Sequence, residues 1–189
     1  MKNLIILFFV LLITSCNHKT DCSDINEVIS FMIDKKAFPL PPPPPINDST
    51  IIISKKIADS LLKIKLKVAL YPTTDFFSEK ELIKIPEEYL DKFKILDNSP
   101  KKITLNGISS KKGHKIVIAD TIELKKFKDF KDFDLLFWFS NFHFSKNNKK
   151  VLFNLGVSRS RLAGSSTLYI LKKENNEWSI EYSKPISEW

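Results

Sequence analysis

The sequence predicts an α+β domain: an antiparallel β-sheet ending in a three- to four-stranded C-terminal meander, with two or three helices packed on one face. Three observations predict it. Val151, Phe153, Leu155 and Val157 alternate with Lys150, Leu152, Asn154 and Gly156, Trp178, Ile180 and Tyr182 alternate again, and Asn147-Asn148 and Asn175-Asn176 supply turns beside them. Near the N-terminus, Ile25, Val28, Ile29, Met32 and Ile33 recur at helical spacing. Between these regions Pro39 and Pro41 to Pro45 form a run that neither a helix nor a central strand accommodates. The 189 residues therefore divide into a leader (1–15), a tether with a helix and a proline strut (16–46), and a single α+β domain (47–189).

In chain order, Met1 to Cys16 opens on Lys2, continues as an unbroken apolar run from Leu4 to Ile13, and closes on small residues before Cys16. An apolar run of about ten residues is too short to span a bilayer, which takes about 20, and has the layout of an export leader. Ser23 or Asp24 can cap the helix that follows, with Glu27 in its first turn. Its apolar stripe can pack on the domain or rest on a bilayer, although its polar face lacks the basic excess of interfacial helices. The prolines form a polyproline II strut on the order of 20 Å long, a stiff spacer or a ligand for a proline-reading domain.

Thr50 to Ser54 is a short β-branched run, and Ile57 to Leu62 fits helix or irregular structure. Ile64, Leu66, Val68 and Leu70 alternate with Lys63, Lys65, Lys67 and Ala69, the pattern of a half-buried strand whose lysines discourage edge pairing. Ser78 and Glu81 make a capping box, and Pro86 interrupts or restarts that helix, giving Tyr89, Leu90, Phe93 and Leu96 a narrow apolar face. Gly107 and Gly113 mark turns before a strand at Lys115 to Ala119. In Phe127–Asp134 a period of three stacks phenylalanines along a tight helical turn. Leu135 to Phe144 reads as a central strand, Ser158 to Ser165 as a loop, and Thr167 to Lys173 as the next strand.

Composition excludes several classes. The chain carries 30 basic and 22 acidic residues, but Arg159 and Arg161 are its arginines and the lysines are scattered. Nucleic-acid binders cluster basic residues and favour arginine, so nucleic acid is not an expected partner. With four isolated glycines there is no phosphate-cradling loop and no dinucleotide fingerprint, so no cofactor is expected. Cys16 and Cys22 cannot assemble a zinc site by themselves, and Asp129, Asp132 and Asp134 lack the turning glycine and distal glutamate of a calcium loop.

Catalytic parts are equally sparse. By strand alternation His143 shares a face with Phe139, Asn141 and Ser145, yet neither Ser140 nor Ser145 sits in a glycine-rich elbow. His143 therefore reads as a sheet histidine, and no carboxylate pair stands out for glycoside hydrolysis. Strand length places Lys146, Lys149, Lys150, Lys172 and Lys173 at one end of the meander, and Arg159, Arg161 and Lys184 at the other. The Arg159/Arg161 loop is the better ligand-binding candidate, since arginine grips carboxylate or phosphate in bidentate fashion.

Ile13-Thr14-Ser15-Cys16 resembles the lipobox of bacterial lipoproteins. The resemblance implies diacylglyceryl transfer to the Cys16 sulfur, cleavage between Ser15 and Cys16, and acylation of the new amino terminus. Cys22 is then a free tether thiol or an intermolecular bridge. Asn17 stands where an Asp often retains lipoproteins at the inner membrane, which implies an outer-membrane location. The N-terminal helix with its proline run, Phe144 to Phe153, and Leu171 to Ile180 together resemble a group of small uncharacterised bacterial lipoproteins. Many of these carry a cysteine–glycine pair in the loop that is Ser158–Ser165 here, where no cysteine stands. The expectation is a lipid-anchored envelope module that binds a protein or an anionic glycan. The alternative is an envelope hydrolase using acids or His143.

Overall fold

The computed structural model describes residues 22–39, 59–93, 99–125, 130, 132–160 and 162–188. The run Thr50–Ser54, most of the proline strut, Cys16 and Arg161 lie outside them. Helix α1 (Cys22–Lys36) carries Asp24 in its first turn and Lys35 and Lys36 in its last, each sign opposing the partial charge of that helix end. Ala37 N–H still reaches Ile33 O at 2.8 Å, and Pro39 then prevents continuation. The stripe foreseen in the sequence faces inward: Val28, Ile29, Met32 and Ile33 are fully buried.

The sheet is mixed. Strands β1 (Lys67–Leu70), β2 (Lys115–Ile118), β3 (Leu135–Phe139), β4 (His143–Phe144), β5 (Lys150–Ser160), β6 (Ala163–Glu174) and β7 (Glu177–Glu188) are arranged β2-β1-β3-β5-β6-β7, with β4 also paired to β5. The C-terminal part is the expected antiparallel meander, but β1 pairs in parallel with both β2 and β3. The antiparallel expectation is thus corrected for this half of the sheet. β1 is not a half-buried strand with an exposed lysine face either. It lies between two neighbours, so Val68, Ala69 and Leu70 are all buried. Asp134 helps fix its register, accepting the Lys67 N–H at Oδ2 (2.7 Å) and donating its own N–H to Lys67 O (2.8 Å).

Helical segments cover both faces, where one was expected. On the first face α1 seals a continuous core with Phe137, Phe139, Phe142, Val151, Phe153, Leu155, Tyr169 and Trp178. The division after residue 46 that the sequence suggests therefore runs through a shared core. On the second face, helical turns α2 (Glu79–Leu82) and α3 (Glu87–Leu90) bring Ile85, Tyr89 and, just beyond, Phe93 onto Leu152, Leu168 and Ile170. Further along that face α4 (Thr121–Lys125), Phe130 and Phe133 cover Ala69 and Leu136. Trp138 crosses between strands over Gly156, where a Cβ would sit 1.8 Å from the ring. Only glycine leaves that space.

The apolar run Leu135–Phe144 is not one strand. Phe139 pairs with Leu155 and His143 pairs with Leu152, so one extra residue is accommodated between them. This bulge changes the face His143 points to. Ser140 repairs the ladder there, its Oγ accepting the Asn154 N–H at 2.7 Å. The fully buried Asn141 uses its amide to hold the neighbouring loops: Oδ1 accepts from Thr74 Oγ1 and Nδ2 donates to Ser99 O at 3.0 Å.

Candidate functional site

At one end of the sheet, the β4–β5 turn and the β6–β7 turn lie beside the start of α1. Alternation fixes the strands, and asparagines allow the turns. Asn148, Asn175 and Asn176 all adopt positive φ, which asparagine tolerates better than most residues. Ser145 Oγ donates to Asn147 Oδ1 (2.9 Å), which also accepts the Lys149 N–H (3.1 Å). Between the turns lies an open groove of about 1070 Å³, walled by Lys92, Lys146, Lys149, Lys150, Lys172 and Lys173 and by Asp24, Asp91, Glu174 and Glu181. Six cations against four carboxylates leave an excess of two.

The pairing is uneven. Lys173 reaches Glu27 Oε2 at 2.7 Å and Asp24 Oδ1 at 3.2 Å, while lying 5.3 Å from the Trp178 ring centroid. Burial opposes its charge, but hydrogen bonds and attraction from Glu27 and Asp24 outweigh this and raise its pKa. Trp178 Nε1 donates to the same Glu27 oxygen at 3.3 Å, so the cluster ties α1 to the β6–β7 hairpin. Lys150 pairs with Glu181 (2.6 Å) and Lys172 with Glu174 (3.1 Å). Lys92, Lys146 and Lys149 are exposed and have no carboxylate partner among the described residues. Tyr89 sits under Lys92 and Lys150, at 4.9 and 5.5 Å. Its hydroxyl pKa is raised by burial and then by Glu181, with Lys150 acting against.

The Arg159 candidate lies at the opposite end, and on strand β5: the expected loop from Ser158 to Ser165 is a tight hairpin with strand on both sides. Arg159 Nη2 donates to Phe38 O at 2.7 Å, and its guanidinium stacks 5.3 Å from the Phe38 ring. Burial lowers its pKa, though an arginine stays charged. Together with Lys36, Val157, Tyr169 and Glu188 it lines a cavity of about 460 Å³ beside the end of α1. Arg159 therefore holds the segment that leads into the proline run.

His143 is 4 % exposed, with its ring edge-on to Phe77 at 5.5 Å. Because of the bulge it lies on the face opposite Phe139, whereas strict alternation would put the two together. Ser145 Oγ is engaged by Asn147 and by the Lys150 N–H at 3.0 Å, so it caps a turn. Among the described residues, no three metal-ligating side chains converge and no helix is long and apolar enough to cross a membrane.

Glu81, legible in the sequence only as half of a capping box, is buried against the sheet. Its Oε2 accepts from Ser78 N (2.5 Å) and Ser78 Oγ (2.7 Å), the glutamate half of the capping box. Its Oε1 accepts from Asn154 Nδ2, and Asn154 Oδ1 accepts from Ser166 Oγ at 2.9 Å. Capping chemistry was readable in Ser78-x-x-Glu81; the contact to a strand 73 residues away was not. Comparison with protein-family models, with curated proteins and with solved structures finds no match for this chain.

Proposed function

We propose that the chain is a lipid-anchored protein of the bacterial cell envelope, held at the outer membrane through Cys16, and that its domain is a non-enzymatic binding module. The observation that carries this reading is the order Lys2, apolar run, Ile13-Thr14-Ser15-Cys16. Five residues lie between Cys16 and Cys22, the first residue of α1, and six Cα-to-Cα steps extend at most about 20 Å. A lipid at Cys16 would hold the folded domain close to the bilayer, with the proline strut playing no part in that distance.

The expected partner is an envelope protein or an anionic glycan. Arg159 and Arg161 are the residues proposed to meet it, Arg159 through the part of its fork not used on Phe38.

The test is Cys16→Ser in the full chain, followed by fatty-acid labelling, intact mass and membrane fractionation. The variant should take up no acyl label and should leave the membrane fraction or stay unprocessed. Wild-type protein without an acyl mass increment, or a variant that fractionates and is processed like wild type, sinks the anchoring.

A further inference from the structure

We propose that the lysine-lined end of the sheet faces the membrane and rests on anionic phospholipid headgroups, which sets the orientation of the domain on the bilayer. The proposal rests on the lipid-anchored reading and adds to it which end points at the lipid.

Position is the first observation. Asp24, in the first turn of α1, is part of the groove wall, so the chain enters the fold beside the lysines. The Lys173–Asp24–Glu27 cluster holds that helix end to the β6–β7 hairpin. An anchor at Cys16 would thus lie within about 20 Å of the groove. The tip of the β5–β6 hairpin is at the far end of an 11-residue strand, about 36 Å away at 3.3 Å per residue.

Charge is the second. Acidic neighbours compensate Lys150, Lys172 and Lys173, whereas Lys92, Lys146 and Lys149 project as exposed cations without carboxylate partners among the described residues. Anionic leaflets attract such residues over about a Debye length. Lysine also fits the occupant. Its compact, hydrated charge on a flexible stem suits a mobile layer of headgroups, where arginine would favour a single fixed anion.

Shape is the third. The groove is broad and open, and it lies between two hairpin turns that project from the same end of the sheet. Such a rim makes many shallow contacts with a surface more readily than it encloses a small ligand.

The experiment uses full-length chain processed in cells, purified and reconstituted into two vesicle types: neutral phosphatidylcholine, and phosphatidylcholine with phosphatidylglycerol. A fluorescent amino acid replaces exposed Glu177 at the lysine end or Leu162, 88 % exposed, at the far tip, and energy transfer to a headgroup-linked acceptor reports height. Transfer from position 177 should exceed that from 162 in anionic vesicles. The difference should collapse in neutral vesicles, at 1 M salt, and in the variant Lys92→Gln/Lys146→Gln/Lys149→Gln. At roughly fivefold per lysine, this variant lowers the ratio of docked to undocked domain by about a hundredfold. Lys184→Gln, an exposed lysine in the middle of β7 opposite Leu168 and outside the groove wall, should change nothing. Equal transfer from both positions, or an orientation indifferent to lipid charge, overturns the docking surface. Anchoring fails separately, if the chain does not float with neutral vesicles. Lysine-dependent binding to anionic vesicles would then still uphold the docking, and no binding to either vesicle type would overturn both readings.

Discussion

On one side of β5, Val151, Phe153 and Leu155 meet α1 in an unbroken apolar layer. On the other, Leu152, Asn154 and Gly156 meet, in turn, a small aromatic cluster, a buried glutamate and the face of a tryptophan. The first face is a chain of rings: Phe153 lies 5.2 Å from Phe142, 5.8 Å from Tyr169 and 5.9 Å from Phe139. Such a face needs only the right volume and period, and one long helix closes it. The second face is covered by short helical turns that bury little apolar surface each, so a specific polar contact fixes where they sit. The difference teaches how a half-irregular layer can be held: the Glu81 side chain binds its own helix start and the sheet beneath it.

The largest expected effect breaks the apolar side. Phe153→Ala leaves a hole among three aromatic rings and should lower stability by about 3–5 kcal/mol in urea unfolding. A loss under about 1 kcal/mol would mean that the layer under α1 collapses easily and is no tighter than its counterpart. The next effect probes the polar side. Asn154→Ala removes the side-chain donor to Glu81 Oε1 and the acceptor for Ser166, a loss of about 1–3 kcal/mol for leaving buried polar groups unmet. A double-mutant cycle with Glu81→Ala should give a coupling of about 0.5–3 kcal/mol. Simple additivity would mean that the Glu81–Asn154 contact does not hold the α2 turn.

The two faces also differ in how far the sequence betrays them. The odd residues of β5 and the stripe on α1 carry clean periods, 2 and 3.6, so the apolar layer and the C-terminal meander can be read directly. What Val28 or Met32 packs against cannot, because a stripe names a face without naming its partner. β1 escaped for a related reason. Its partners begin 48 residues later, at Lys115, and 67 residues later, at Leu135, and parallel pairing leaves no hairpin signature in between. The bulge at Ser140–Phe142 hides inside an apolar run, where an added residue disturbs no pattern, and so strict alternation puts His143 on the wrong face. At the candidate surface, strand length alone grouped Lys146, Lys149, Lys172 and Lys173. Lys92 and the start of α1 join them only through tertiary packing.

The smallest effect concerns a titration on the α1 side of the sheet. His114 is 8 % exposed, and its Nδ1 accepts the Leu66 N–H at 3.1 Å, which leaves the ring proton on Nε2. Burial lowers its pKa. Asp34 and the Ala37 carbonyl act in the opposite direction, while Lys112 and Lys65 reinforce the lowering. In the unfolded chain the imidazole takes a proton near its ordinary value of about 6.5. The sign follows: at pH 7 and above both states are neutral and the contribution to stability is complete. As pH falls through about 6.5 the unfolded chain gains the proton first, so stability declines until the folded-state pKa is passed. His114→Asn keeps an acceptor within reach of the Leu66 N–H and removes the titration. Urea midpoints between pH 7.5 and 5 should slope downward with falling pH in the wild type and more shallowly in the variant. Parallel slopes would show that Asp34 holds His114⁺ as well in the fold as water does outside it.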